Sequence, residues 1–191
     1  MACGRAAGVS YRAAVTRRRA VLAIGSNLGD RLGTLQECVK AIGSLPDTDV
    51  LAISPVYQTA PVGGPVQPDY LNAVLIAATG LPPLDLLAAV HGIEADFGRV
   101  RAERFGPRTL DIDIISYAEL RSDDPVLTLP HPRAHQRAFV LAPWHDVDPA
   151  ASLPGAGMVS ELLAGVDRDG VRREPGLVLR RPGAAPERPR P

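Results

Sequence analysis

The sequence predicts an α+β fold in which an antiparallel sheet carries two helices on one face. Short apolar runs typical of strands alternate with longer stretches whose apolar residues recur at spacings of three and four, typical of helices. Their order is strand, helix, strand, strand, helix, strand, which is the split βαβ repeat of ferredoxin-like folds. With 191 residues, 46% of them hydrophobic, the chain is long enough for one such domain.

The first strand and the first helix lie on either side of a glycine-containing turn. Residues 20–24 form the apolar strand, and residues 25–30 form the turn. The apolar residues of the helix that follows are Leu32, Leu35, Cys38, Val39, Ile42 and Leu45. Gly43 and Pro46 end this helix, because glycine favours helix ends and proline cannot continue a helix.

Two strands separated by a loop come next. A strand is predicted over residues 50–57, in which Ser54-Pro55 indicates a sheet edge or a bulge. The glycines and prolines of residues 60–68 exclude regular structure and predict a mobile loop. Residues 70–78 are mostly apolar and predict a buried strand.

The second helix and the last strand complete the repeat. Pro82-Pro83 begins the helix, since proline is favoured in the first helical turn. Its inner face is formed by Leu84, Leu87, Val90, Ile93 and Phe97. Residues 109–117 form the last strand, and short helices are predicted over residues 134–144 and 159–164.

The domain is predicted to occupy residues 20–179. Residues 1–19 carry arginines but no acids and no apolar core, which excludes a secretory signal and resembles a transit peptide only weakly. We expect them to be a disordered extension or the product of an early start codon. Residues 180–191 are mainly proline, arginine, glycine and alanine and are expected to be a disordered tail.

Charge and cysteine content exclude several classes of protein. The formal net charge is zero, so no overall field favours nucleic acid or an anionic membrane. Lys40 is the only lysine and follows no glycine-rich loop, which excludes a P-loop. Cys3 and Cys38 form no disulfide framework, and the chain suits a reducing cytoplasm.

Residues 98–115 carry the strongest functional signal. Four arginines precede Asp111 and Asp113, which stand two apart on a predicted strand and therefore point to the same face. Two close carboxylates repel each other unless a cation lies between them. A solvent-facing pair is the alternative, but Arg108 lies only three residues before Asp111 and favours a metal and phosphate site.

Five blocks of sequence together resemble the 6-hydroxymethyl-7,8-dihydropterin pyrophosphokinase family. The most specific is Gly-Pro-Arg-Thr-Leu-Asp-Ile-Asp, which ends at Asp113. The resemblance spans roughly residues 20–165, with the blocks in the order of the family. The blocks are residues 24–31, residues 54–61, residues 67–74, residues 99–115, and residues 129–132 with 137–141 and Pro143.

The resemblance implies an enzyme of folate biosynthesis with a ferredoxin-like fold. The family transfers pyrophosphate from ATP to the hydroxymethyl group of 6-hydroxymethyl-7,8-dihydropterin, releasing AMP and using two Mg²⁺ ions. Its partners are therefore ATP and the pterin. We expect a cytoplasmic monomer that binds neither nucleic acid nor membrane.

The resemblance also implies a role for individual residues. Asp111 and Asp113 match the metal ligands, and Arg99 and Arg101 match the arginines of a catalytic lid loop. The residues that match contacts to ATP are Arg108, Ile114, Thr128, His131 and Arg137. The residues that match the pterin pocket are Thr59, Val62, Tyr70, Asn72, Phe105 and Phe139.

Some of these residues have structural explanations of equal simplicity. Tyr70 and Phe139 are also typical of core packing, and His131 between prolines is typical of a structural histidine. Phe105 stands where the family often has tryptophan, and the stretch between Arg101 and Glu103 is one residue short. A family member that has kept the fold but lost turnover is therefore one alternative.

Two other classes of protein are compatible with parts of the sequence. An RNA-binding ferredoxin-like module would use the arginine loop, but the chain lacks the aromatic residues on adjacent strands that read bases. A metal-dependent glycosyltransferase would use the Asp-x-Asp pair, but needs a larger nucleotide-sugar domain than this chain provides.

Overall fold

A computed structural model of the chain describes residues 16–61, 65–98 and 107–183. The helices are α1 (Arg31–Gly43), α2 (Pro83–Asp96), α3 (Ala138–Val147) and α4 (Val159–Ala164), with a 3₁₀ turn at Ala134–Gln136. The longer strands are β1 (Arg18–Ser26), β2 (Thr48–Ile53), β3 (Tyr57–Thr59), β4 (Tyr70–Thr79) and β5 (Asp111–Tyr117). The short strands are β6 (Ser122–Asp123), β7 (Thr128–Leu129), β8 (Ser152–Leu153), β9 (Gly157–Met158) and β10 (Val171–Arg173).

One antiparallel sheet organises the molecule. Its strands follow the order β10-β3-β4-β1-β5, and β2 pairs with the other part of β4 beside β3. Each of these pairings is antiparallel, which confirms the predicted combination of helices with an antiparallel sheet. Two small hairpins, β6-β7 and β8-β9, stand apart from this sheet.

The predicted strand over residues 50–57 is two strands. The chain leaves the sheet between Ile53 and Tyr57, so that β2 and β3 pair with successive parts of β4. Ser54 replaces the missing ladder contacts: its backbone N–H donates to the Val74 carbonyl at 2.9 Å, and its side-chain Oγ accepts from the Val74 N–H at 2.8 Å. Pro55 lacks an N–H and cannot take part in the ladder, which explains the break there.

The first face of the sheet packs on α1 and α2. Leu22, Ile24 and Leu75 on this face are fully buried, as are Leu35 and Cys38 on α1. Burial raises the pKa of the Cys38 thiol to about 12, so this thiol is a core side chain and not a reactive one. The spacing of apolar residues correctly predicted that α1 and α2 form this layer. It was wrong for Leu84, which was expected on the inner face of α2 but is 51% exposed, while Leu86 is buried there.

The second face of the sheet is covered in part by the two C-terminal helices. Val21, Val74 and Ile115 point to this face and pack with α3 and α4 in a second core. Trp144 of α3 is part of that core and is almost fully buried. Because α3 covers only part of this face, a cavity remains beside it over the ends of the central strands.

Both ends of the domain extend further than the sequence indicated. β1 begins at Arg18, inside the segment expected to be disordered. After β10 the chain returns along α1, where Gln36 donates to the Arg180 carbonyl at 2.9 Å and accepts from its N–H at 2.8 Å. Residues 180–183, expected to belong to the tail, therefore lie on the domain.

In the part of the chain that the structure describes, the helices are too short or too polar to cross a bilayer.

Two helical glycines make a matched test of this C-terminal packing. A Cβ added at Gly92 in α2 would meet nothing within 4 Å, so Gly92→Ala should raise the free energy of unfolding by up to about 1 kcal/mol. A Cβ added at Gly43 would lie 2.5 Å from Cγ of Pro182, so Gly43→Ala should lower the free energy of unfolding. Urea unfolding of both variants checks the pair, and equal stabilisation would contradict the described path of residues 180–183.

Candidate active site

The register of the sheet places the polar side chains of three strands in one row. Gly25 on β1 pairs with Asp111 on β5 and with Asn72 on β4. One step along the sheet, Thr59 on β3 pairs with Tyr70. Alternate residues of a strand share a face, so Asp111 and Asp113 point to the same side as Asn72 and Tyr70. This is the side that α3 leaves partly open.

A cavity of about 540 Å³ lies over this row. It is lined by nine of the residues selected from the sequence: Thr59, Tyr70, Asn72, Arg108, Asp111, Asp113, His131, Arg137 and Phe139. They come from strands, loops and α3 that are far apart in the chain. The structure therefore brings together the residues expected to contact metal, ATP and pterin.

Two predicted ATP contacts are not among the residues that line the cavity. Ile114 alternates with Asp113 along β5, so its side chain points to the opposite face and is buried in the core under α1 and α2. Thr128 lies in β7, and its hydroxyl donates to the Asp124 carbonyl at 3.2 Å. Neither side chain therefore lines the cavity.

Four predicted site residues lie outside the described residues. They are Val62, Arg99, Arg101 and Phe105.

Each carboxylate of the Asp-x-Asp pair forms a salt bridge with a different arginine. Arg108 donates from Nη1 to Oδ1 of Asp111 at 2.6 Å, and Arg137 donates from Nη1 to Oδ2 of Asp113 at 2.9 Å. Both aspartates remain partly exposed, at 25% and 33% of their side-chain surface. The charge repulsion expected from the sequence is thus compensated by guanidinium groups in this structure.

His131 lies beside the same carboxylates. Its Nε2 is 3.7 Å from Oδ2 of Asp113. Burial lowers the pKa of His131, and this effect outweighs the opposing influence of the Asp113 carboxylate. The imidazole is therefore neutral at pH 7, so a hydrogen bond and not a positive charge is what it offers to a ligand.

A buried amide and two aromatic side chains line another part of the cavity. Asn72 is 8% exposed, and its Nδ2 donates to Oγ1 of Thr59 at 2.7 Å. Tyr70 and Phe139 supply aromatic walls, and the Arg137 guanidinium lies 5.3 Å from the centre of the Phe139 ring. The Phe139 ring therefore lies beside the arginine that pairs with Asp113.

Gly25 makes room for this amide. It belongs to β1, not to the turn predicted for residues 25–30, and its cross-strand partner is Asn72. A Cβ built at Gly25 would lie 2.7 Å from Oδ1 of Asn72, closer than carbon and oxygen atoms can approach. Only glycine therefore allows the Asn72 side chain to take its present position.

Asn27 is a positioning residue of the site that was not among the residues expected from the sequence. It is 1% exposed, and its Oδ1 accepts from the Arg108 N–H at 2.8 Å while its own N–H donates to the Arg108 carbonyl at 3.2 Å. Its Nδ2 donates to Gln67 Oε1 at 2.9 Å and to the Pro68 carbonyl at 3.1 Å. One buried side chain therefore fixes the chain at both Pro68 and Arg108. A polar residue directly after an apolar strand was the available signal.

Several further residues line the cavity without any signal in the sequence pattern. They are Gln67, Arg133, Gln136, Asp167, Asp169, Gly170 and Val171. The last four belong to β10 and the turn before it, and a three-residue strand is too short to show periodicity.

The donor set suits a magnesium ion that arrives with phosphate. Among the described residues, no three His, Cys, Asp or Glu side chains cluster closely enough to hold a metal by themselves. Mg²⁺ commonly keeps waters and takes only one or two carboxylates together with substrate phosphates. Asp111 and Asp113 supply that number, so the residues present fit a metal bound jointly with a nucleotide.

Comparison with known proteins identifies the family of this chain. The family model of 7,8-dihydro-6-hydroxymethylpterin-pyrophosphokinase (HPPK) matches residues 21–149. A 2-amino-4-hydroxy-6-hydroxymethyldihydropteridine pyrophosphokinase of Pseudomonas aeruginosa is 43% identical over 159 residues, covering 83% of this chain and 98% of that protein. The enzyme of the same name from Mycobacterium leprae is 45% identical over 188 residues, covering 90% and 96%.

Solved structures support the fold. The wild-type HPPK-DHPS of Plasmodium falciparum superposes with a TM-score of 0.59 at 13% identity, over 78% of this chain and 44% of that one. The same protein with STZ-DHP gives a TM-score of 0.61 over 82% and 45%. This chain thus spans less than half the length of those proteins. The sequence matches, which cover most of the chain and nearly all of the bacterial relatives, show that it belongs to the 7,8-dihydro-6-hydroxymethylpterin-pyrophosphokinase family.

Proposed function

We propose that the cavity between the Asp111–Asp113 pair and Asn72 is where this chain carries out the reaction of its family. That reaction transfers pyrophosphate from ATP to the hydroxymethyl group of 6-hydroxymethyl-7,8-dihydropterin in folate biosynthesis. The observation that carries the proposal is that a carboxylate and arginine cluster and an aromatic pocket with a buried amide line one cavity. Such an arrangement lets a single site hold both reactants.

The carboxylate end is assigned to the triphosphate. Arg108 and Arg137 are suited to it because a planar guanidinium donates two parallel hydrogen bonds to phosphate oxygens and stays charged. We assign Asp111 and Asp113 to two Mg²⁺ ions, which would neutralise phosphate charge and polarise the reacting oxygens. Neutral His131 is assigned a hydrogen bond to the nucleotide. Ile114 and Thr128 keep only the assignment that the family resemblance implies.

The amide end is assigned to the pterin. Asn72 offers both a donor and an acceptor, which matches the alternating donors and acceptors on the pyrimidine edge of a pterin. Its bond to Thr59 fixes the orientation of the amide. Tyr70 and Phe139 would lie against the ring faces, where offset stacking is favourable.

Catalysis in this arrangement depends on positioning and electrostatics. Phosphoryl-type transfer needs the attacking oxygen and the leaving group in line, with charge compensated around the phosphorus. Arg99, Arg101, Val62 and Phe105 are assigned to closure over the reactants, on the family resemblance alone. The Asn27 bonds fix the chain at Pro68 and at Arg108, which follow residue 62 and residues 99–105 closely in the sequence.

Three broader assignments accompany the proposal. We assign the fold to the ferredoxin-like class, which is supported by the strand order β5-β1-β4-β2 and by α1 and α2 on one face. We also propose that the enzyme is a monomer and that it acts in the cytoplasm.

Replacing Asp113 tests the metal assignment. Asp113→Ala should lower AMP release by about 100-fold or more, because it removes an anchoring charge needed at the triphosphate. The assay measures pterin-dependent AMP release from ATP over a range of Mg²⁺ concentrations. Asp123→Ala, an exposed aspartate on β6, is the matched control and should behave as wild type. Near-normal activity of Asp113→Ala would remove the basis for the metal site.

Replacing Gly25 tests the ring pocket. In Gly25→Ala the new Cβ would displace the Asn72 amide, and losing one well-made hydrogen bond should raise the dissociation constant for the pterin about tenfold. The affinity for a non-hydrolysable ATP analogue should stay the same. Isothermal titration with each ligand measures both quantities, and Gly92→Ala serves as the control glycine. Equal weakening of both ligands would show that Gly25 acts on the whole fold and not on the pterin end.

A further inference from the structure

The edge of the sheet next to the proposed pterin pocket is formed by a segment that lies beyond the residues matched by the family model. The family model ends at residue 149, whereas β10 spans Val171–Arg173. β10 pairs antiparallel with β3, with Val171 opposite Thr59 and Arg173 opposite Tyr57. Without it, β3 would be a three-residue edge strand, and such a short strand holds its position weakly.

The turn before β10 touches the chain directly after Thr59. The Ala60 N–H donates to the Gly170 carbonyl at 3.3 Å. Gly170 has a φ of +70°, and a Cβ built there would lie 3.3 Å from the Cβ of Ala60. Two aspartates shape the turn, since Asp167 accepts from the Asp169 N–H at 2.9 Å and Asp169 accepts from the Gly170 N–H at 3.0 Å.

The other end of the β3–β10 pair is tied to α3. Tyr57 donates its hydroxyl to Oδ2 of Asp146 at 2.9 Å, and Arg173 approaches the same oxygen at 3.5 Å. Burial and the Asp146 hydrogen bond raise the pKa of Tyr57 to about 12, so this hydroxyl remains a donor. The Glu174 N–H also donates to the Val56 carbonyl at 2.8 Å. Contacts at both ends thus hold the two strands in place.

The pairing of β3 with β10 fixes the position of Thr59, and Thr59 in turn orients the Asn72 amide. Thr59 is 4% exposed, its backbone lies opposite Val171, and its hydroxyl accepts the Asn72 amide hydrogen at 2.7 Å. Gly170 and Val171 also line the cavity themselves. A shift of the turn would therefore move the hydrogen-bonding edge of the pocket and one of its walls together.

We propose that residues 167–173 are a positioning element for the pterin pocket, and that Gly170 is the residue that lets this element close against Ala60. The segment sets the location of Thr59, and through it the orientation of the Asn72 amide. It makes the enzyme selective for the shape of the ring. The inference rests on the proposed function only for the identity of the ring.

Substitution of Gly170 separates this role from general stability. Gly170→Ala should raise the dissociation constant for 6-hydroxymethyl-7,8-dihydropterin by about five- to tenfold, because the pocket edge moves. The dissociation constant for a non-hydrolysable ATP analogue with Mg²⁺ should change less than about twofold, and KM for the pterin should rise more than kcat falls. Calorimetry and steady-state kinetics on the full chain measure these quantities.

Gly183→Ala is the matched control. Gly183 has a φ of +75°, so alanine there suffers the same backbone strain, but a Cβ would meet nothing within 4 Å. This control should lose thermal stability to a similar degree and keep its affinity for the pterin. If Gly170→Ala and Gly183→Ala have the same pterin affinity, the positioning role is overturned while the proposed function stands.

A double substitution tests the contact itself. Ala60→Gly removes the Cβ that an alanine at residue 170 would press against, so Ala60→Gly/Gly170→Ala should recover part of the pterin affinity. No recovery would show that the Ala60 contact is not how the turn acts.

A milder variant keeps the test decisive if Gly170→Ala fails to fold. Asp167→Ala removes the side-chain bond to the Asp169 N–H, and Asp124→Ala removes the equivalent bond to the Val126 N–H in the distant β6–β7 turn. Only the first should weaken pterin binding, and equal affinities would overturn the inference. Finally, if Thr59→Val leaves pterin affinity unchanged, both the ring pocket and its positioning element are wrong.

Discussion

The constraint on which the site depends is the close approach of two carboxylates on one strand. Asp111 and Asp113 share a face of β5, and like charges at that spacing must be compensated by cations. In this structure Arg108 and Arg137 provide the compensation, one for each aspartate. A triphosphate with Mg²⁺ would replace one set of charge pairs with another.

The sheet places the other polar residues of the cavity beside this carboxylate pair. Because β1 and β4 lie next to β5 in register, Asn72 is held in the same row as Asp111, with Gly25 between them. α3 buries one end of this face in a second core and leaves the other end open. The absence of a side chain at Gly25 is what leaves room in the cavity for the Asn72 amide.

The sequence predicted those parts of the fold that depend on periodicity and residue type. The spacing of apolar residues predicted α1 and α2, and the Asp-x-Asp pair after an arginine loop predicted the charged end of the cavity. Contacts distant in sequence escaped prediction. β10 is too short to show alternation, and the bonds of Asn27 to Pro68 and Arg108 join segments about 40 and 80 residues away. Ile114 was selected by resemblance, whereas strand alternation points it into the core.

The most direct test of the central claim is a crystal structure of the enzyme with Mg²⁺, a non-hydrolysable ATP analogue and 6-hydroxymethyl-7,8-dihydropterin. The account predicts Mg²⁺ about 2.1 Å from carboxylate oxygens of both Asp111 and Asp113, with the pterin edge on Asn72. If the nucleotide and metal bind while both carboxylates stay paired with Arg108 and Arg137 and contact no ion, the account is contradicted.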